Sequence, residues 1–260
     1  MQHDGSSPNK FNGERLWITQ ETIDEYLSEF PDHRQRYEFA KNYVRGKDIA
    51  DIACGAGYGS FMLGDDAKSV MGFDISEEAL AHASKYFSRP NLSFRHASKI
   101  SESKFDVIIS FETIEHMSEK DGDKFLQDLH SSLSSDGTLI ISTPLNRFSL
   151  KHRINTTPYH LREYNEKEFA RKLEVNGFKV ERWFGQWNSV SETLAKPILP
   201  GLSLGGIVRS GAHRLLPNMI RRPITNLLLN NKIEQVNNSV RIIPDDLSGA
   251  SIQIGVCRMV

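Results

Sequence analysis

One stretch limits this chain more than any other. Between Asp48 and Ser60 a short apolar run, Ile49 to Ala53, opens into a turn carrying Gly55, Gly57 and Gly59. An amphipathic segment starts at Tyr58, and a second apolar run ends in Asp74, about 20 residues past the first glycine. Glycine is needed where backbone takes positive φ or must let a ligand approach closely. A strand that feeds such a turn, then a helix, then a strand tipped by an acid belongs to a parallel α/β sheet. The acid is placed to accept hydrogen bonds from a ribose. The spacing Gly-x-Gly-x-Gly departs from the Gly-x-Gly-x-x-Gly of dinucleotide binders, and Asp51 puts a second acid inside the first strand. An ordinary βα turn would explain a glycine cluster alone, so the reading rests on the combination with Asp51 and Asp74.

The rest of the chain keeps the alternation. Residues 1–12 read as disordered, and Glu21 to Val44 as helical, broken in two by Pro31. Strands are expected at Ile49 to Ala53, Ser69 to Phe73, Leu92 to Arg95, Phe105 to Ser110, Thr138 to Ser142, Phe178 to Phe184 and Ser251 to Cys257. Helices are expected at Tyr58 to Leu63, Glu77 to Phe87, Asp121 to Leu133 and Glu166 to Asn176, with Ser76 and Gly177 as start and stop signals. The expected fold is therefore α/β, a doubly wound, mostly parallel sheet of seven strands with the last one antiparallel. That last strand is expected to pair with the one ending at Phe184. Three regions follow: a tail and cap helices at 1–44, a core at 45–186 plus 251–260, and an insertion at 187–250.

Bulk properties exclude some classes. Lys and Arg number 32 against 33 Asp and Glu, a net charge of -1, so nothing global calls for nucleic acid. The two cysteines, Cys54 and Cys257, form no disulfide framework, which fits a reducing compartment. No run is apolar for the roughly 18 residues of a membrane span, and the expectation is a soluble, cytoplasmic protein. The insertion is locally different. From Lys196 to Lys232 it carries Lys196, Arg209, Arg214, Arg221, Arg222 and Lys232 with no acid, interleaved with leucines and isoleucines. Such a segment serves either as a lid or homo-oligomer contact or as a peripheral membrane element.

The strand, glycine turn and two acids together resemble motif I of the class I S-adenosylmethionine-dependent methyltransferases. That resemblance implies a Rossmann-like fold and a cofactor held by Asp51, Ala53, Gly55, Gly57, Asp74, Ile75 and Phe111. It places the amino-acid portion on the glycine turn and the ribose on Asp74. The family offers an acid for the adenine amine where this chain has Arg95-His96-Ala97-Ser98, so Ser98 is the substitute acceptor. A narrower resemblance rests on Gly13-Glu14-Arg15-Leu16, His33-x-x-Arg36-Tyr37, Phe111 to Met117, Ser142-Thr143-Pro144 and Pro158 to Tyr164. These look like the methyltransferases that accompany glycosyltransferases in bacterial polysaccharide and glycolipid biosynthesis, with Arg36 and Tyr37 reaching the cofactor carboxylate.

The reactive end is expected where the strand ending at Ser110 delivers Glu112, Glu115 and His116 onto the first turn of a helix, joined later by His160. Two carboxylates and two imidazoles make a divalent-cation site for Mg²⁺ or Mn²⁺, and the pattern resembles metal-dependent methyltransferases acting on the ribose 2′-hydroxyl of small RNAs. The alternative is metal-free, with His116 or His160 as general base and Glu115 in support. A third reading makes the pair only a helix cap. The expected activity is O-methylation of a sugar hydroxyl on a saccharide, glycolipid or glycan precursor. Methylation of a quinone-like aromatic and a non-catalytic cofactor-binding module are the alternatives.

Overall fold

The computed structural model describes residues 10–11, 15–146, 159–187, 197–199, 202–203, 240–248 and 250–260. The main sheet is built from β1 (Asp48–Ile52), β2 (Ser69–Asp74), β3 (Leu92–His96), β4 (Phe105–Ser110), β5 (Leu133–Pro144), β6 (Phe178–Trp187), β7 (Arg241–Pro244) and β8 (Ile252–Met259). Their spatial order is β3-β2-β1-β4-β5-β8-β6-β7. The first five strands pair in parallel, and β8 runs antiparallel to β5 on one side and β6 on the other. Around the sheet lie α1 (Ile23–Glu29), α2 (Pro31–Val44), α3 (Tyr58–Leu63), α4 (Glu77–Tyr86), α5 (Glu119–Ser132) and α6 (Glu166–Val175).

Side chains alternate across each strand, so the central strands feed two apolar layers at once. Ile49, Val107, Ile109 and Ile140 pack with Tyr37, Ala40 and Val44 of α2 and Leu63 of α3. Ala50, Ile52, Ile108, Leu139 and Ile141 pack on the other face with Leu126 and Leu129 of α5 and Phe169 and Leu173 of α6. Strand order reverses between β1 and β4, which opens a crevice beyond their carboxyl ends.

Local signals act as their chemistry dictates. Ser76 caps α4 by accepting the Ala79 N–H, Asn165 and Glu168 form a reciprocal capping box on α6, and Pro31 opens α2. Gly177, with φ of 84°, turns the chain out of α6.

The structure corrects three expectations and adds to a fourth. The sheet has eight strands, because Arg241–Pro244, within the region assigned to the insertion, pairs with β6. The last strand pairs with β6 as expected but is wedged between it and β5. Lys10–Phe11, inside the segment expected to be disordered, pairs with Leu16–Trp17. Glu115 and His116 sit on a separate 3₁₀ turn, Ile114–His116, because Ser118 caps α5 and starts that helix only at Glu119. The basic run from Lys196 to Lys232 lies outside the described residues, apart from 197–199 and 202–203. Among the described residues no helix is long and apolar enough to cross a membrane.

One glycine sets how closely α2 and α3 approach. A Cβ at Gly59 would overlap the Tyr37 ring, itself 7% exposed and wedged between Tyr58 and Phe111. Gly59→Ala is therefore expected to lower stability by about 1–3 kcal/mol, the usual cost of overpacking a close-packed core. A lower urea midpoint at unchanged slope would register it.

Candidate active site

The crevice holds a cavity of about 450 Å³. From the first strands it is lined by Ile52, Ala53, Cys54, Gly55, Ala56, Asp74 and Ile75, and from the cap by Arg15, His33, Arg36, Tyr37 and Tyr58. Ala97, Phe111, Glu112, Thr113, His116, Met117 and Phe125 complete the wall. Two ends thus come together in one space: the glycine turn with Asp74, and the segment from Phe111 to His116.

The turn is shaped by backbone in the left-handed region. Ala53, Gly55 and Gly57 have φ of 58°, 55° and 89°. A Cβ on Gly55 would meet nothing within 4 Å, so that residue leaves open space for a ligand, whereas a Cβ on Gly57 would come 2.6 Å from that of Ala83. Asp74, 3% exposed, ties this turn to the tip of β2. Its Oδ2 accepts the Gly55 N–H at 2.9 Å, and its Oδ1 accepts the Ser76 N–H at 2.8 Å and Arg15 Nη2 at 3.0 Å.

Asp51 stands one layer behind the wall. Ser60 donates its hydroxyl to Asp51 Oδ2 at 2.6 Å, and the Tyr37 hydroxyl makes a longer contact at 3.4 Å. Burial pushes the Asp51 carboxyl up to about 7, against the Ser60 and Tyr37 hydrogen bonds that favour its charged form. Arg36 lines the cavity at 5% exposure. It donates Nη1 to Gln186 Oε1 at 2.9 Å, and its Nε has no hydrogen-bond partner among the described residues. Next to it, His33 meets the Tyr58 hydroxyl at 2.6 Å, and burial followed by the Arg36 charge drives its imidazole down to about 3. It is neutral at any physiological pH.

At the other end Glu112 takes φ of 50° and is held by Ser142, whose hydroxyl donates to Oε1 at 2.7 Å. Glu115 is fully buried. Its Oε2 accepts the Thr143 hydroxyl at 3.1 Å and its Oε1 has no hydrogen-bond partner among the described residues. Burial, then the neighbouring Glu112, raises the Glu115 carboxyl well above the usual range, and burial likewise raises Glu112. His116 is exposed and directs Nδ1 at the Tyr159 carbonyl, 3.2 Å away. A carbonyl only accepts, so Nδ1 carries the proton and Nε2 is the basic nitrogen. His160 packs edge-on to His116 at 5.0 Å, with Nδ1 at 2.7 Å from Glu163. Glu115, His116 and His160 bring ligand atoms within 4.8 Å of one another, while Glu112 stands outside that trio.

The remaining expected contacts divide. Ile75 and Phe111 line the cavity, but Ser98 does not. Its hydroxyl is 2.9 Å from His96 Nδ1, and its neighbour Ala97 faces the cavity. The apolar wall from Met117 and Phe125 escaped sequence reasoning, as did Tyr58 and His33. Only the helical spacing of Phe125 with Leu129 hinted that α5 faces the crevice.

The raised Asp51 carboxyl has a measurable consequence. Its folded pKa of about 7 exceeds the unfolded 3.8. The folded state therefore binds the extra proton, and this group's favourable contribution is complete at low pH and lost as pH rises between those values. The stability of Asp51→Asn relative to the ligand-free wild type should accordingly improve from pH 4 to 7. Urea melts across that window check it.

Known proteins resemble this chain in sequence and in fold. A family model described as "Methyltransferase domain" matches residues 23–182. A probable S-adenosylmethionine-dependent methyltransferase of Mycolicibacterium smegmatis is 31% identical over 162 residues, 60% of this chain and 61% of that protein. Another from Mycobacterium tuberculosis is 28% identical over 153 residues, 57% of this chain and 55% of the other. The matched region thus spans roughly three fifths of these relatives' lengths. A solved putative methyltransferase from Bacillus halodurans superposes with a TM-score of 0.54 at 14% identity, covering 88% of this chain and 100% of that one, a likeness of fold. With the family model spanning the glycine turn, Asp74 and the Phe111–His116 segment, the chain belongs to the methyltransferase-domain family, on the class I Rossmann-like fold.

Proposed function

We propose that this chain transfers a methyl group from S-adenosylmethionine to a hydroxyl of a saccharide, glycolipid or glycan precursor. The observation that carries the reading is the single cavity lined both by Gly55 with Asp74 and by Phe111 to His116. In it Asp74 would accept the ribose hydroxyls, with Ile75, Ala97, Met117 and Phe125 around the base. Arg36 supports the fit. A guanidinium buried against a neutral amide calls for an anion, and among the described residues no carboxylate forms an ion pair with it. The carboxylate of the cofactor's amino-acid portion supplies that anion, with Tyr37 beside it.

When bound, the cofactor supplies a methyl on a sulfonium sulfur, which keeps the electron pair of the breaking C–S bond as the new O–CH₃ bond forms. The chain's own task is alignment and the removal of one proton. His116 suits the second role, since its Nδ1 contact with Tyr159 leaves Nε2 to take the acceptor's proton, and its exposed ring can release that proton to water. The sugar acceptor rests on the resemblance carried by Arg15-Leu16, His33 to Tyr37 and Pro158 to Tyr164.

A second reading is favoured by the converging trio. Glu115 Oε1 is buried without a partner, and both imidazoles have Nδ1 set against an acceptor. Glu115, His116 and His160, with Glu112 nearby, would hold Mg²⁺ or Mn²⁺. Such an ion lowers the pKa of an acceptor hydroxyl. The Glu163 contact is the kind of outer support that orients a metal-binding histidine.

Calorimetry with S-adenosylhomocysteine tests the cofactor site. Asp74→Ala should weaken binding by about 1–3 kcal/mol, the cost of unmade charge-assisted hydrogen bonds. A wild type that binds none of it would falsify the assignment. Turnover separates the two reactive-end readings. Without a metal, His116→Ala should lower kcat by roughly 10²–10⁴-fold while cofactor affinity holds, and chelator should do nothing. With one, chelator should stop the wild type and Mn²⁺ or Mg²⁺ restore it.

A further inference from the structure

Asp74 carries more partners than a ribose-binding carboxylate can keep. Gly55 N–H occupies Oδ2, while Ser76 N–H and Arg15 Nη2 both occupy Oδ1. A carboxylate oxygen offers about two lone-pair directions, so Oδ1 is full and Oδ2 has one left. Two neighbouring ribose hydroxyls need one acceptor on each oxygen. The two amide donors belong to the turns that build the site and stay in place. Arg15, its side chain 31% exposed, is the donor of the three that can swing away.

The residues that follow hold Arg15 over the cavity. Leu16 and Ile18 are buried in the apolar layer beneath α2, 2% and 0% exposed. Trp17 stands edge-on to His82 of α4 at 5.1 Å, and His82 Nε2 meets the Ile18 carbonyl at 2.7 Å. The strap therefore docks on the same β2–α4 unit that presents Asp74, and Arg15 and Leu16 both line the cavity. These anchor contacts are made by Leu16, Trp17 and Ile18, so the guanidinium can leave Asp74 without undocking them.

We infer that Arg15 is a latch on the cofactor site. Its guanidinium holds Asp74 in the ligand-free protein, and the ribose hydroxyls must displace it, so the latch sets the rate and affinity of cofactor exchange. The inference rests on the cofactor reading above. An internal competitor lowers apparent affinity by the fraction of molecules left unlatched.

Stopped-flow binding of S-adenosylhomocysteine to the full chain tests it. Arg15→Ala should bind faster and more tightly, by about fivefold or more, because every molecule is then competent. Added salt should speed association of the wild type, by screening the ion pair on its partly exposed Arg15 side, and leave Arg15→Ala unchanged. Arg15→Lys keeps the charge and should stay near the wild type. Should thermal melts show that the alanine variant is unfolded, Arg15→Gln, which keeps most of the packing, is read in the same way. Binding by the folded neutral variants that is equal to or weaker than wild type overturns the latch and leaves the cofactor reading standing. No binding by the wild type overturns both.

Discussion

The structure depends on a hydrogen bond from a loop to the end of the neighbouring strand. Gly55 N–H to Asp74 Oδ2 joins the turn after β1 to the tip of β2. It fixes the crevice that the strand order only makes available. The bond is possible because Gly55 takes φ of 55° and aims its amide across the strand ends. Parallel pairing of Asp51 with Gly72 brings the two tips level. Behind it, Ser60 and Asp51 tie α3 back to β1 at 2.6 Å, so the turn is held from both sides. Removing either acid would loosen the same few residues from opposite directions.

The two ends of the cavity are built on different principles. The end at the glycine turn and Asp74 is mostly backbone, with donors and bends set by glycine and by strand register. The end from Phe111 to His116 is mostly side chain, and its charges oppose one another. Glu112 and Glu115 are crowded into a setting that raises both carboxyls, while Arg36 nearby lowers them. Such a setting favours the protonated form of the carboxyls, which makes their charge responsive to what enters the cavity. The positive φ of Glu112 adds backbone strain at the same point, held in place by two contacts from Glu112 N–H to Ser142.

Much of this was legible in the sequence where the signal was local. The glycine turn, Asp74, the break at Pro31 and the caps at Ser76 and Gly177 each depend on a handful of neighbouring residues, and each appears in place. Legibility failed where long-range packing decides. β7 is four residues long and gains its place only by pairing with β6, which no periodicity could announce. Ser98 looked like an adenine acceptor by position, but the 3₁₀ turn there directs Ala97 to the cavity and pairs Ser98 with His96. His160 and His116 could be named as candidates from spacing. Their common orientation could not, because the Tyr159 carbonyl and Glu163 come from a segment whose docking on Glu115 is tertiary. Leu161 and Arg162 donate their amides to the Glu115 carbonyl, and that pair of bonds delivers the second histidine.

The wedged position of β8 has a consequence for how the chain is made. Strands β1 to β4, whose ends form the crevice, make up one contiguous block in sequence and in space, so they can pair as they emerge. β5 and β6 are held together in the sheet by β8, which follows both of them in the chain. Until β8 emerges each presents an open edge, a template for another chain. The half-made protein thus owns its pocket before it owns a closed sheet. Its exposure to misassembly is concentrated at one seam, which Ile252 to Met259 fill by pairing with Leu139 to Pro144 on one side and Phe178 to Gln186 on the other.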